Sequence, residues 1–294
     1  MLLFLFTLSA FATGIHTEMV PCPIGGEPTK LYLSVTANEL GGFDSDGAVY
    51  SSGTQFRRYA ISTCPKNFVT LLGTDLMEAI PNEHHEDILE RVQNALATAE
   101  DPDNLSTWER YLIASEVYKV LSSPPGDMAQ LYLQASWVVR DEIVGIHHDL
   151  RGPKVADAVL GQGLAELEKD LTPQQRKLVR YNLARVAHRA GYPGVREQHL
   201  QKFEALSLTT PEKEAVVKFR RLATLIEPKF QQLAIAELEK IGSKRYPSQQ
   251  FVLGDLYRRT GKEEQAKIIF ESIDETQLSP RDQDSLIYLR QHLK

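Results

Sequence analysis

The chain has 294 residues, 33 of them Lys or Arg and 39 Asp or Glu, for a formal net charge of −6 at pH 7. With 42% apolar and 24% charged residues it has a globular composition, long enough for one large or two modest domains. No basic stripe is available to grip phosphates, so nucleic acid is not an expected partner, and the acidic surplus fits poorly on an anionic membrane.

The first twelve residues, MLLFLFTLSAFA, are uncharged and mostly apolar, too short to span a bilayer, and end in Ala10-Phe11-Ala12. That ending has the A-x-A form of a signal-peptidase site. The segment 1–12 therefore reads as a cleaved secretion signal, with the mature chain starting near Thr13. The competing reading is a buried N-terminal segment or a misassigned start. No later stretch is long and apolar enough for a membrane helix, so the expected location is periplasmic or secreted.

Residues 13–80 form a β segment. The two cysteines of the chain, Cys22 and Cys64, are each followed by proline, like the first half of a Cys-x-x-Cys knuckle. Gly25 and Asn67 stand where the second cysteine of each would be. Structural zinc takes four ligands, and no histidine lies between residues 17 and 83 to supply the rest. In an oxidising compartment two nearby thiols become a disulfide, here closing a loop of about 43 residues worth on the order of 4 kcal/mol. Free thiols and a residual metal site are the alternatives. In Lys30–Ala37, Leu31, Leu33 and Val35 alternate with Tyr32, Ser34 and Thr36, the period of a half-buried strand. Arg58–Cys64 alternates more weakly. Between them, NELGGFDSDGAVYSSG is turn or loop. Its Asp44-Ser45-Asp46-Gly47 begins like a calcium loop but lacks the closing Glu, so the carboxylates are expected to fix turns.

From about Pro81 the apolar period becomes 3.6, and residues 81–294 read as about ten helices joined by short loops. Ser106–Glu109 and Thr172–Gln175 have the form of capping boxes, while Thr210-Pro211 and Ser279-Pro280 place a hydroxyl before proline at a helix start. Such a run is an α-solenoid or a closed bundle. The solenoid reading has an anchor in LGDLYRRTGKEEQAKIIF: Leu253-Gly254, Tyr257, Gly261, Ala266 and Phe270 follow the tetratricopeptide spacing. Gly254 would let the paired helix approach, and Tyr257, Ala266 and Phe270 would interleave. A weaker copy runs through Leu183-Ala184, Ala187 and Gly191, with Phe203 in the partner helix.

Cys22-Pro23, Gly41-Gly42-Phe43-Asp44-Ser45-Asp46 and Thr63-Cys64-Pro65, with the stretch LYLQASWVVRDE and the LGDLYRR repeat, resemble a bacterial family of unknown function. That family pairs a zinc-ribbon-like N-terminal segment with a tetratricopeptide-like helical domain. The resemblance covers most of the mature chain and implies the architecture rather than a reaction. Each family knuckle carries two cysteines, so zinc binding does not carry over to a chain with Gly25 and Asn67.

Other clusters have plain readings. Glu83-His84-His85-Glu86 and His147-His148-Asp149 place neighbouring histidines about 100° apart on a helix, which chelates poorly. No G-x-S-x-G elbow or Gly-rich phosphate loop is present, and Glu166 and Glu168 are ordinary on helix turns. Trp108 and Trp137, with Tyr111, Tyr118 and Tyr132, are expected to pack between helices. The sequence therefore predicts a mainly α chain with a small antiparallel β segment, acting as an exported, non-enzymatic interaction scaffold for a protein or peptide, without metal or cofactor. Its concave helical surface would present Phe251, Asp255, Arg258 and Arg259, the two arginines gripping carboxylates. The alternatives are a metal-handling protein using the histidine clusters and thiols, and an envelope hydrolase.

Overall fold

The computed structural model describes residues 14–36, 38–144 and 149–293. The segment read as a signal and the His147-His148 pair lie outside the described residues.

Two antiparallel hairpins build the N-terminal part. Strand β1 (Gly14–Pro21) pairs with β2 (Pro28–Thr36), with Val20 opposite Thr29 and Thr17 opposite Tyr32. After the short β3 (Gly42–Phe43), β4 (Ile61–Thr63) pairs with β5 (Thr70–Leu72). The alternation expected in β2 holds at one end. Leu31 is fully buried, whereas Val35 runs out into solvent. Strand β1 is the element sequence periodicity does not find, because its outward side chains, Thr17 and Glu18 among them, leave no apolar rhythm.

The rest is mainly helical. The segments are α1 (His85–Leu96), α2 (Thr107–Val120), α3 (Pro125–Val144), α4 (Gly152–Leu167), α5 (Pro173–Ala190) and α6 (Pro193–Glu204). They continue with α7 (Thr210–Arg221), α8 (Glu227–Ile241), α9 (Pro247–Arg259), α10 (Glu263–Ser272) and α11 (Pro280–His292). A π-turn, Leu222–Ile226, joins α7 to α8 without a break, so the described residues hold ten continuous helices. Proline explains the turn. Pro228 has no N–H to give and its ring would press on the carbonyl of Thr224 in a regular ladder. Instead Glu227 N–H bonds Leu222 O, five residues back, and the inserted residue rotates all of α8 about its axis.

Local signals set the helix starts. Ser106 and Thr172 close their capping boxes, and Ser279 accepts from Asp282 N–H. The start of α7 differs by one residue. Thr209, three before Glu212, forms the box, and Thr210 is already helical. The α9–α10 hairpin packs as its spacing predicts: Phe251 and Phe270 rings lie 5.7 Å apart, and a Cβ at Gly254 would come within 2.5 Å of Phe270.

The helices do not follow one another in a single line. Neighbours pair as α1–α2, α4–α5, α5–α6 and α9–α10, but α3 packs most extensively against α8, and α4 meets α11. The main core fills the space around α3 and α8, with Val138, Val139, Phe230, Ala234 and Leu238 buried, and takes in Ile61 of β4. A second core joins Cys22, Ile24, Leu31 and Cys64 to Ile88 and Val92 of α1 and Val117 of α2. Burial thus runs without interruption across residue 80, and the β hairpins pack on the helices. The short parallel pairing of β3 with β6 (Leu150–Arg151) is a further tie.

Candidate functional site

The turns after β1 and β4 share one shape. Cys22 N–H donates to Glu27 O at 2.8 Å and Gly26 N–H to Cys22 O at 3.2 Å. In the second turn Cys64 N–H donates to Val69 O at 2.9 Å and Phe68 N–H to Cys64 O at 3.1 Å. Gly26 and Phe68 take the same left-handed place, at φ 75° and 60°. The two turns face each other. Cys22 and Cys64 form a disulfide with Cα atoms 5.9 Å apart. Opposite it, Asn67 Nδ2 donates to Ile24 O at 2.7 Å, and a Cβ at Gly25 would lie 3.4 Å from that nitrogen. Positions 22, 25, 64 and 67 therefore converge on one point, where a covalent bond and an amide hydrogen bond do the tying. Both cysteines are buried and neither is free.

The loop between the hairpins is buried in the helical half. Asp46, Ala48 and Tyr50 have no exposed surface, and Asp44 and Ser45 very little. Gly42 makes the close approach possible: its φ is +78°, and a Cβ there would fall 1.9 Å from Leu150 O. Beyond it the loop meets arginines from three helices. Arg140 of α3 reaches Asp44 at 2.9 Å, Asp46 at 2.6 Å and Glu227 at 2.6 Å. Arg189 of α5 bonds Asp44 at 2.9 Å and stacks 3.9 Å over the Tyr50 ring, whose hydroxyl donates to Asp44 at 2.7 Å. Ser45 Oγ donates to Asp255 of α9 at 3.0 Å. Asp255 in turn holds Arg258 at 2.8 Å and Arg259 at 2.6 Å. Arg57 completes the set, paired with Asp141 at 2.6 Å.

Five carboxylates (Asp44, Asp46, Asp141, Glu227, Asp255) thus meet five guanidinium groups, four of them buried (Arg140, Arg189, Arg258, Arg259) and Arg57 partly exposed. Burial alone would raise the Asp46 carboxyl, but Arg140 and Arg259 hold it well below the ordinary carboxylate range. Burial likewise works against Glu227, which Arg140 and His188 bring down to about 2. Two arginines have a second task. Arg258 donates to Ala190 O at 2.8 Å and Gly191 O at 3.0 Å, and Arg259 to Arg189 O at 2.9 Å. They cap the C-terminal end of α5, where carbonyls lack helical partners and the helix dipole is negative.

This arrangement corrects the expected partner surface. Phe251, Asp255, Arg258 and Arg259 are all buried rather than displayed on an open concave face. The arginines do grip carboxylates, but those of this chain, because the loop 41–51 fills the place an outside segment would need. The Asp44–Asp46 carboxylates also do more than fix turns. Only Asp46, bonding Ala48 N–H at 3.4 Å, has that local role as well. Sequence reasoning missed Arg140, Arg189 and Glu227. Arg140 carries one signal, a charged residue within the largely apolar run of α3, whereas Arg189 next to the end of α5 and Glu227 at the start of α8 carry none.

The other expected sites fall apart in space. His85 Nε2 is bonded to Ile80 O at 2.9 Å, and Glu166 pairs with Lys169 on the surface of α4. Among the described residues no three His, Cys, Asp or Glu side chains form a group that could hold a metal ion. Trp108 and Trp137 pack against the main core, Trp108 edge-on to Phe230. No described helix is long and apolar enough to cross a membrane.

An apolar groove lies open where the β part meets the helices. It encloses about 570 Å³ between Leu72 and Ile80 on one wall and Leu121, Met128 and Leu131 on the other. Asp75, Glu78 and Asp127 rim it. Tyr118 spans its floor, donating to Asp75 and accepting from Leu72 N–H at 3.0 Å. Comparison with family models, curated proteins and solved structures finds no match for this chain.

Proposed function

We propose that the chain is an exported interaction scaffold that works by binding a protein or peptide rather than by catalysing a reaction. The observation that carries this reading is the acid-rimmed groove between the β hairpins and α2–α3. Its apolar walls suit a bulky aliphatic or aromatic side chain, and Asp75, Glu78 and Asp127 suit lysines or arginines on either side of it. The partner is thus a segment with an apolar anchor between basic residues. The disulfide supports the proposed periplasmic or secreted address, since such bonds persist in oxidising compartments. The paired turns are what a zinc ribbon would keep after losing its metal, in line with the resemblance to the zinc-ribbon and tetratricopeptide family.

The test uses fluorescence polarisation with two labelled peptides, one alternating Leu with Lys and one alternating Leu with Glu. The basic peptide should bind, and the double variant Glu78→Lys, Asp127→Lys should prefer the acidic one. Equal affinity of the unmodified protein for both peptides, or none for either, removes the groove as the partner site.

A further inference from the structure

Among the described residues, strand β1 pairs with β2 alone, which leaves its other edge open. Which backbone groups face that edge follows from the turn. Cys22 N–H donates to Glu27 O, so that pair is hydrogen-bonded, and along an antiparallel ladder bonded and non-bonded pairs alternate. Pro21 and Pro28, which have no N–H to give, fall on a non-bonded pair. Val20, Glu18 and His16 then bond β2, while Met19, Thr17 and Ile15 turn their N–H and C=O groups away from it. No backbone bond from those three is found to any other described residue. Residues 16–19 are all exposed, Met19 at 60%. Such an edge is a template for another strand.

The open stretch is complementary to itself. Turned about Thr17, the run Ile15-His16-Thr17-Glu18-Met19 sets each residue opposite a suitable mate in a second copy. Thr17 meets Thr17 and Ile15 meets Met19. These are the residues with outward N–H and C=O groups, so pairing takes up all of those groups. Their side chains share one face, where the exposed Met19 is covered by Ile15 of the second copy. On the other face His16 stands opposite Glu18. Within one copy these two side chains already lie 3.4 Å apart, and pairing joins both couples into one cluster. The strand also sets the limits of the stretch. Pro21 has no N–H to extend it, and the ladder with β2 shifts register between Gly14 and Ile15. The far side of β2 packs on β4, with Thr29 Oγ1 donating to Thr63 O at 3.0 Å, so pairing through β1 closes at two copies.

We propose that β1 pairs with β1 of a second copy, antiparallel about a twofold axis at Thr17, making the chain a homodimer. The groove between the β hairpins and α2–α3 takes no lining residue from β1, so both grooves of the pair stay open. The dimer then offers two peptide sites and gains from avidity, a consequence that rests on the proposed function, whereas the pairing itself does not.

Sedimentation velocity of the full chain over a dilution series should show a monomer–dimer equilibrium. Amide exchange followed by NMR should slow at Ile15, Thr17 and Met19 as concentration rises, while His16, Glu18 and Val20 are slow throughout. Thr17→Pro removes an N–H that β2 does not use, so the fold should hold while the dimer weakens at least about tenfold, through one bond lost from each copy. Cross-linking reads the register. Cα atoms of a bonded antiparallel pair stand about 5.5 Å apart, within disulfide reach, so oxidised Thr17→Cys protein should run as a covalent dimer. His16→Cys, whose two copies would sit on a diagonal about 7–8 Å apart, should not. A monomer at every concentration, whether or not it takes up an added strand peptide, overturns the proposal. So does a dimer with fast exchange at Thr17, a Thr17→Pro dimer of unchanged strength, or cross-linking through His16→Cys alone.

Discussion

Arg140 is fully buried with three carboxylates around it, and its worth lies less in the bonds it makes than in the charges it neutralises. Arg140→Leu should lower the unfolding free energy by about 3–5 kcal/mol in urea titration, since Asp46 and Glu227 would be left buried without it. Acid should weaken the protein in two stages. Burial outweighs the pull of Glu227 on His188 and holds the imidazole below its usual 6.5, and burial with nearby Arg180 and Lys202 pushes His199 down to about 4. Both rings take a proton more readily in the unfolded chain, so their contribution is complete above pH 6.5 and declines as pH falls below it. Glu227, brought down to about 2 by Arg140 and His188 against burial, contributes fully above 4.5 and loses that contribution between there and 2. Urea midpoints measured from pH 8 to 3 should show both stages, and His199→Gln should shrink the first while sparing the second. The sequence made the arginines at 258 and 259 legible as carboxylate binders, but for a partner's carboxylates rather than for Asp255 one turn back. It could not show that Asp46, far back in the chain, comes within 3.7 Å of Arg259. Loop composition conceals burial when each polar group has a distant partner.

Elements show the same division between near and far information. Capping boxes at α2 and α5 are readable because all the participating atoms lie within four residues, and the α9–α10 hairpin because a single period places Gly254 under Phe270. The pairing of α3 with α8 is not readable, since any amphipathic stripe can pack against any other. Two glycines make this testable at element scale. Gly254→Val should force α9 and α10 apart and cost about 1–3 kcal/mol, the range for overpacking, seen as a lower thermal midpoint. Gly42→Ala should cost about 3 kcal/mol or more, because a left-handed residue would gain a side chain that strikes the Leu150 carbonyl of the partner strand. Its hydrogen-exchange signature should be faster exchange in the loop 41–51. Unchanged protection there would mean that β3 is not what seats the loop.

Across the whole molecule, two long-range ties act at different places: the disulfide fastens the two β turns to each other, and the clasped acidic loop joins the β part to the helices. Reduction, or replacement of both cysteines by serine, should lower stability by about 4 kcal/mol, read as a shift of the urea midpoint between samples with and without reductant. A chain that melts identically under both conditions would show that the second core, not the sulfur bridge, fastens the turns. The small antiparallel β part and the helical majority were legible from composition and period. How they join was not, because contacts across residue 80 leave no local trace. The clasp has a temporal consequence. The acidic loop is synthesised roughly 200 residues before two of its receiving arginines, at 258 and 259. A prematurely terminated polypeptide would keep Asp46 and lose α9, leaving negative charge with nowhere to settle and inviting proteolysis. The buried place of Asp46 is thereby open only to a chain translated at least through α9.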